Sequence, residues 1–344
     1  MRFLIVGGGP VGLFAATAAG LRGHDVTVLE RRAADGDKAC GEGLMPSAVD
    51  ALRSIGVIPD GCPISGIRYL DGSGRYQVRA DLRAGPGLGV RRTTLVAALR
   101  TRAQEVGVDL QHATATDVHD EGPVVTVNDS AGGEWWGDVL LGCDGPASVV
   151  RHVVGLDASV SAVARYGLVA HFAVGPWSSD VEVHWSRSGE AYVTPVAPDM
   201  VGVALLGGQG LPFDDRLTEF EALRDRLGGA AAVGKVLGAG PMRRRASAPV
   251  RGRVALVGDA AGYVDALTGE GLSVGFASAR AAVTAAEEGR LAAYRDEWRT
   301  ITRVPTRLTE GLLWSSQRAT VRRALVPAAV QLSPVFGRLV GVLS

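Results

Sequence analysis

The chain has little lysine and little cysteine. Of its 36 basic residues only Lys38 and Lys235 are lysines, a bias that a GC-rich coding sequence explains. Acids balance bases at 36 each, for a net charge of zero. That balance gives no sign of the strongly basic face that nucleic acid demands or of the one-signed composition of a disordered acidic chain. Cys40, Cys62 and Cys143 are an odd three with no C-x-x-C. A disulfide framework, a structural zinc and a dithiol redox centre are therefore not expected, no metal site is read, and the usage suits a reducing, cytoplasmic setting. No run of about 20 apolar residues exists to cross a bilayer. Arg2 followed by apolar residues could open a signal peptide, but glycines follow too soon for its apolar region.

What is present begins at residue 2. Arg2-Phe3-Leu4-Ile5-Val6 is long enough for a buried strand and too short for a helix. It runs into Gly7-Gly8-Gly9-Pro10-Val11-Gly12, a G-x-G-x-x-G turn, then a helical pattern to about Leu21, then Val26-Thr27-Val28-Leu29 ending on Glu30. Strand, glycine turn, helix, strand and acid in that order mark a dinucleotide site. Gly7 permits the tight turn, Gly9 admits a pyrophosphate to the backbone, and Gly12 lets helix and strand approach. Pro10 and Val11 open the helix whose free N–H groups face the phosphates. Glu30 is placed to accept ribose hydroxyls, and Arg31 or Arg32 is a candidate for the same end of the ligand, with surface charge as the alternative.

The 344 residues, 47% apolar, suggest two domains. Ser47 reads as the cap of a short helix to about Ile55. Loose alternation with turn glycines over 66–89 predicts strands that leave the nucleotide domain and return. Leu95, Leu99 and Ala103 set one face of a helix beginning at Arg91-Arg92. Asp109–His112 and Val124–Val127 read as strands about a turn at 121–123, and a helix is expected from Ser148. Between about 160 and 245 the period becomes two, predicting an antiparallel sheet with one covered face and a helix over 213–227 lying on it. A buried strand over 253–257 leads through Gly258-Asp259 to a small-residue helix ending near Glu288. Helices broken at Pro305, Pro327 and Pro334 complete the chain.

Four separated pieces resemble one family: the Gly7/Gly9/Gly12–Glu30 turn, Arg92-x-x-Leu95, Asp144-Gly145, and Gly258-Asp259 followed by Gly269-Glu270-Gly271-Leu272. Their order and spacing are similar to the FAD enzymes that include p-hydroxybenzoate-hydroxylase-type (class A) monooxygenases and geranylgeranyl reductases, over about residues 1–290. The resemblance implies an α/β fold with a Rossmann-like FAD-binding domain split over 1–65, 90–158 and 246–292. A substrate domain takes 66–89 and 159–245, and C-terminal helices take 293–344. It implies that FAD lies with its adenosine ribose on Glu30, its diphosphate near Arg92, its ribityl chain on Asp259, and the flavin edge at the N–H groups of Gly271 and Leu272. Asp144 would order the loop that touches FAD and, in relatives, the reductant; helix capping is the plainer role for Asp144 and Asp259.

No second G-x-G-x-x-G follows a strand, so NAD(P)H is expected as a transient reductant without a domain of its own. Halogenases, which share the scaffold, are disfavoured: W-x-W-x-I-P is absent, and no lysine stands between Lys38 and Lys235. The leading expectation is a monooxygenase that uses NAD(P)H and O2 to hydroxylate or epoxidise an apolar or aromatic small molecule, of the kind met in secondary metabolism. The alternative is a reductase or dehydrogenase of a C=C bond. Lys38-x-Cys40-Gly41-Glu42-Gly43 and Asp265-x-Leu267-Thr268-Gly269-Glu270-Gly271 resemble geranylgeranyl reductases, although of their Y-x-W-x-F-P element only Pro195 matches. A flavoprotein without catalysis is a third class. Cys40, Glu42, His184, Tyr192 and Glu270 are candidates on the substrate side; none is singled out as a general base. The arginine-rich tail beyond residue 300 has two readings, a cap packed on its own domain or a peripheral contact with an anionic membrane surface.

Overall fold

The apolar run at residues 3–6 is apolar throughout because its strand is central in a sheet covered on both faces. In the computed structural model, which describes residues 1–33, 36–160 and 164–331, Arg2–Val6 pairs in parallel with Asp25–Glu30 and Val139–Gly142. Asp109–His112 and Val254–Leu256 extend the sheet in parallel, and Val250–Arg251 closes one edge antiparallel. Phe3 and Ile5 point to the helices Pro10–Gly20, Arg92–Glu105 and Gly271–Glu287, where Phe14 and Phe276 stack 4.6 Å apart. Leu4 and Val6 point the other way, into a core shared with a three-stranded sheet. That small sheet is Ala115–His119, Val125–Asp129 and Glu134–Gly137. The turn expected at 121–123 therefore joins Ala115–His119 to Val125–Asp129, while Asp109–His112 belongs to the large sheet.

The period-two region builds a seven-stranded sheet in the order Ala232–Ala239, Tyr166–Phe172, Met200–Gly207, Gly189–Ala197, Asp180–Trp185, Gly66–Asp71, Gln77–Asp81. All neighbours are antiparallel except Asp180–Trp185 with Gly66–Asp71. Ala232–Ala239 is an exposed edge strand whose glycines and Lys235 hide it from pattern reading. On the back face lie two helices, Phe213–Leu217 and Glu221–Leu227, rather than one; the chain breaks between them to bury Phe220 completely. On the front face Val181, Val183 and Trp185 meet Met45 and Leu267 of the nucleotide-side loops, and Leu313 and Val326 of the last helices.

Two helix boundaries differ from expectation. The short helix is Pro46–Ser54, with Met45 as cap residue and Pro46 in the first turn, where its missing N–H costs nothing. Ser47 instead meets Ser273 Oγ at 3.0 Å. Pro305 and Pro327 lie inside the helices Tyr294–Ser316 and Ala319–Gln331 instead of ending them. An internal proline costs about 3 kcal/mol; burial of Thr309, Leu313 and Val326 in the flanking turns offsets it. Pro334 and Arg338 lie outside the described residues.

Candidate active site

The glycine turn has the geometry its spacing implies. Gly7 has φ +108°, and a Cβ there would lie 2.5 Å from the Cys143 carbonyl oxygen. A Cβ on Gly12 would lie 1.8 Å from the Gly7 carbonyl oxygen. Above Gly9 the space is open except for Arg92 Nη2, 3.8 Å from a built Cβ. Pro10 is the first residue of a helix whose start has no side-chain cap, so its N–H groups are free for an anion. Val11 fills the gap between Gly258 and Gly275, so it joins two cofactor-side elements by packing. Glu30 accepts the N–H groups of Gly8 at 2.6 Å and Arg32 at 2.8 Å, which fixes its carboxylate at the strand end. Arg31 is exposed beside it.

Arg92 opens its helix with the guanidinium over the glycine turn, and among the described residues it forms no ion pair. Lys38, given no role by sequence reasoning, shares that cleft. Its Nζ is 3.5 Å from a Cβ built on Gly145; burial lowers its pKa, Arg92 and Arg32 act in the same sense, and Asp259 opposes them. Burial pushes Asp259 up to about 6 against the pull of Lys38. Asp144 Oδ2 accepts the Val150 N–H at 3.1 Å, the capping role, and its other oxygen is buried without a partner. Gly258 and Gly269 both have positive φ, +62° and +68°. Gly271 and Leu272 begin the helix Gly271–Glu287, with nothing within 4 Å of a Cβ on Gly271. Glu270 precedes them; burial raises it to about 7, the Thr268 hydroxyl opposing, and its Oε2 has no partner.

An open space above Gly9, an unpaired arginine, two uncapped helix starts and a half-buried aspartate between them fit a molecule with a diphosphate in the middle and a polar heterocycle at one end. FAD is such a molecule.

The substrate-side candidates separate. Glu42 is the one non-glycine residue with positive φ among the described residues, +58°. Its Oε1 accepts the Arg92 N–H at 2.8 Å and its Oε2 lies 2.7 Å from His171 Nε2. Arg91 Nε stands 3.4 Å from Oε1. Such a carboxylate is a fastener between loop, helix and sheet. Cys40 accepts the Glu42 N–H at 3.5 Å, and burial raises its thiol, which disfavours the nucleophilic thiolate. Tyr192 lies on the front face and donates to the Leu267 carbonyl at 3.1 Å; burial first, then Glu190, hold its hydroxyl neutral. His184 is on the back face with Glu182, 3.2 Å away, and so is remote from the front wall. Sequence reasoning also gave no role to His171, which meets Glu42 only across the fold, or to Arg165 and Asp265, which meet each other in the same way; the one available signal was Asp265 in the motif that starts at Asp259.

Residues 1–207 match the FAD binding domain family, and the chain belongs to it. It is 29% identical over 299 residues to dialkyldecalin synthase of Streptomyces rugosporus, covering 80% of this chain and 63% of that protein, so it spans less than two thirds of that relative's length. It is 30% identical over 332 residues to digeranylgeranylglycerophospholipid reductase 1 of Methanopyrus kandleri, covering 86% and 85%. It is 30% identical to 3-hydroxybenzoate 6-hydroxylase of Klebsiella oxytoca over 171 residues, 44% of this chain and 42% of that one. Among solved structures, the Diels-Alderase PyrE3 of the pyrroindomycin pathway superposes with a TM-score of 0.81 at 23% identity, over 99% of this chain and 80% of that one. No described helix is long and apolar enough to cross a membrane, and the described residues hold no cluster of metal-ligating side chains.

Proposed function

We propose that this FAD-dependent oxidoreductase reduces a C=C bond of an apolar small molecule, with NAD(P)H as transient reductant. The observation that carries it is the reach of the likeness to digeranylgeranylglycerophospholipid reductase 1, 30% identity over 86% of this chain and 85% of that protein, whose name supports an apolar substrate. Val181, Val183, Trp185, Met45 and Leu267 are packed under Leu313 and Val326 as a buried apolar core beside the loop leading to Gly271. FAD supplies hydride chemistry when bound. The chain's own part is to seat the diphosphate on the Gly9–Gly12 turn and Arg92, to order the ribityl chain with Asp259, and to present the Gly271 and Leu272 N–H groups to the flavin edge, where they favour negative charge. Reduction is preferred because the reductase likeness runs through 86% of the chain and the hydroxylase likeness through 44%. The second reading, hydroxylation or epoxidation with O2, draws on that hydroxylase likeness.

One assay separates them: NAD(P)H oxidation by the holoprotein, with candidate polyprenyl and aromatic substrates, with and without O2. Anaerobic turnover to a saturated product supports the proposal. Incorporation of labelled O2 replaces it with the second reading. Product formation without any reductant consumed points to a non-redox role.

A further inference from the structure

Residues 243–245 are three consecutive arginines with different fates. Arg243 Nη2 pairs with Glu310 Oε1 at 2.8 Å. The side chains of Arg244 and Arg245 form no hydrogen bond or ion pair among the described residues. Both line a cavity of about 420 Å³ together with Ser148, Arg151, His152 and Asp157. His152, Asp157 and Arg245 are exposed and Arg244 is half-buried, so the space opens to solvent. Its size lies within the range of about 300–1,000 Å³ usual for small-molecule sites.

The cavity adjoins the loops that frame the cofactor. Arg151 is its buried member. The Nη2 of Arg151 donates to the Pro146 carbonyl at 2.9 Å, next to Asp144-Gly145, and its Nη1 donates to the Ala260 carbonyl at 3.0 Å, next to Asp259. Arg244–Arg245 pairs antiparallel with Gly262–Tyr263, in the loop between Asp259 and Gly271. A molecule in this cavity stands against both cofactor loops without entering the Gly7–Gly12 turn.

Its charge is positive. Arg151 Nε donates to Asp157 Oδ1 at 2.6 Å, and that hydrogen bond, with slight burial opposing, holds Asp157 below the usual carboxylate range. His152 Nδ1 lies 2.9 Å from the other oxygen of Asp157. Asp157 is the one acid among the lining residues and is spent on Arg151, so Arg244 and Arg245 are left over. Guanidinium groups suit phosphate, which takes their paired N–H donors. The rest of the lining is alanine and valine, too little apolar surface for a long hydrocarbon chain.

We propose that this cavity binds the 2′-phosphate end of NADPH, and that Arg244 and Arg245 make the protein prefer NADPH to NADH. The assignment rests on the reading of NAD(P)H as reductant. A phosphate monoester carries about two negative charges at neutral pH, which two free guanidiniums balance. NADH offers a hydroxyl at the same place and leaves both cations unmatched. The chain has no second G-x-G-x-x-G to hold the reductant, so recognition falls to side chains of this kind. A phosphate on the substrate has the same chemistry, and the test separates the two sources.

The test is isothermal titration of the FAD-loaded protein with NADP+, 2′,5′-ADP, NAD+ and geranylgeranyl diphosphate. NADP+ and 2′,5′-ADP are expected to bind roughly 10- to 100-fold more tightly than NAD+, with an advantage that shrinks as salt rises. Arg244→Ala combined with Arg245→Ala should bring NADP+ to the level of NAD+. The flavin visible spectrum certifies the fold, and if the double variant loses FAD, Arg245→Ala at its exposed position decides. Equal affinity for NADP+ and NAD+, binding of neither, or a preference that survives the substitutions overturns the proposal; a solvated arginine pair gives such a result. Geranylgeranyl diphosphate binding that the substitutions abolish, with NADP+ no tighter than NAD+, hands the cavity to the substrate and overturns it too. The titrations need no turnover. An NADP+ preference lost in the variant, together with failed C=C reduction, leaves the site standing and sinks the reductase reading. A saturated product from a protein that binds NADP+ and NAD+ alike does the reverse.

Discussion

Arg92 shows how much one unpaired cation can carry. A charge-assisted hydrogen bond contributes about 1.5–3 kcal/mol, so Arg92→Ala is expected to weaken FAD binding roughly 10- to 100-fold, read by flavin fluorescence titration. Asp259→Ala should also lose flavin; unchanged affinity in either variant would contradict the proposed seating. Gly12→Ala drives a methyl into the Gly7 carbonyl, and it should yield protein without flavin and with a lowered melting temperature. Glu270 makes a pH prediction. Its pKa in the fold is raised from 4.5 to about 7, so its uncharged form is the stabilised one. The contribution is complete below its unfolded value and is lost as pH rises through about 7. Thermal melts of the cofactor-free protein should therefore show Glu270→Gln gaining on the wild type between pH 5 and pH 8; parallel curves would remove the effect.

At the scale of elements, Ser148 caps the helix Val149–Val153 by accepting the Arg151 N–H at 2.9 Å in a buried setting. Ser148→Ala should cost about 1 kcal/mol, measured by chemical denaturation. Elements of this kind were legible because the signal is local: Ser148, the glycine turn and the Leu95, Leu99, Ala103 stripe each declare their structure within a few residues. Ala232–Ala239 was hidden because an exposed edge strand needs no apolar alternation. Pro305 misled because tertiary burial outweighed a local penalty. In the site, Glu30, Arg92 and Asp259 belong to short motifs, whereas Arg165, Glu190 and Asp265 meet only through folding. No spacing along the chain encodes that meeting, and Lys38 enters the cleft by the same long-range route.

At the scale of the molecule, the C-terminal helices close one end of the front wall. Val326 is 1% exposed, and Ala319–Gln331 lies on the strands Gly66–Asp71 and Gln77–Asp81. Truncation after Gln317 should expose Leu313 and its partners, lower the melting temperature and promote aggregation, while FAD binding through the first sheet persists; an unchanged melt would show that this helix adds nothing. Sedimentation of the intact protein with anionic liposomes would speak for membrane contact instead.

Glu42 has a consequence for any attempt to recombine this protein. Its two oxygens serve different masters: one is committed to the helix that carries Arg92, the other to His171 in the sheet. A chimaera that imports a foreign substrate sheet must bring an imidazole, or another donor of that reach, to the place of His171. Without it a buried carboxylate loses half its bonding, and the misfit is transmitted to the arginine poised over the dinucleotide turn. The sheet is therefore not an interchangeable module, and a change of substrate made there will register as a change in cofactor affinity.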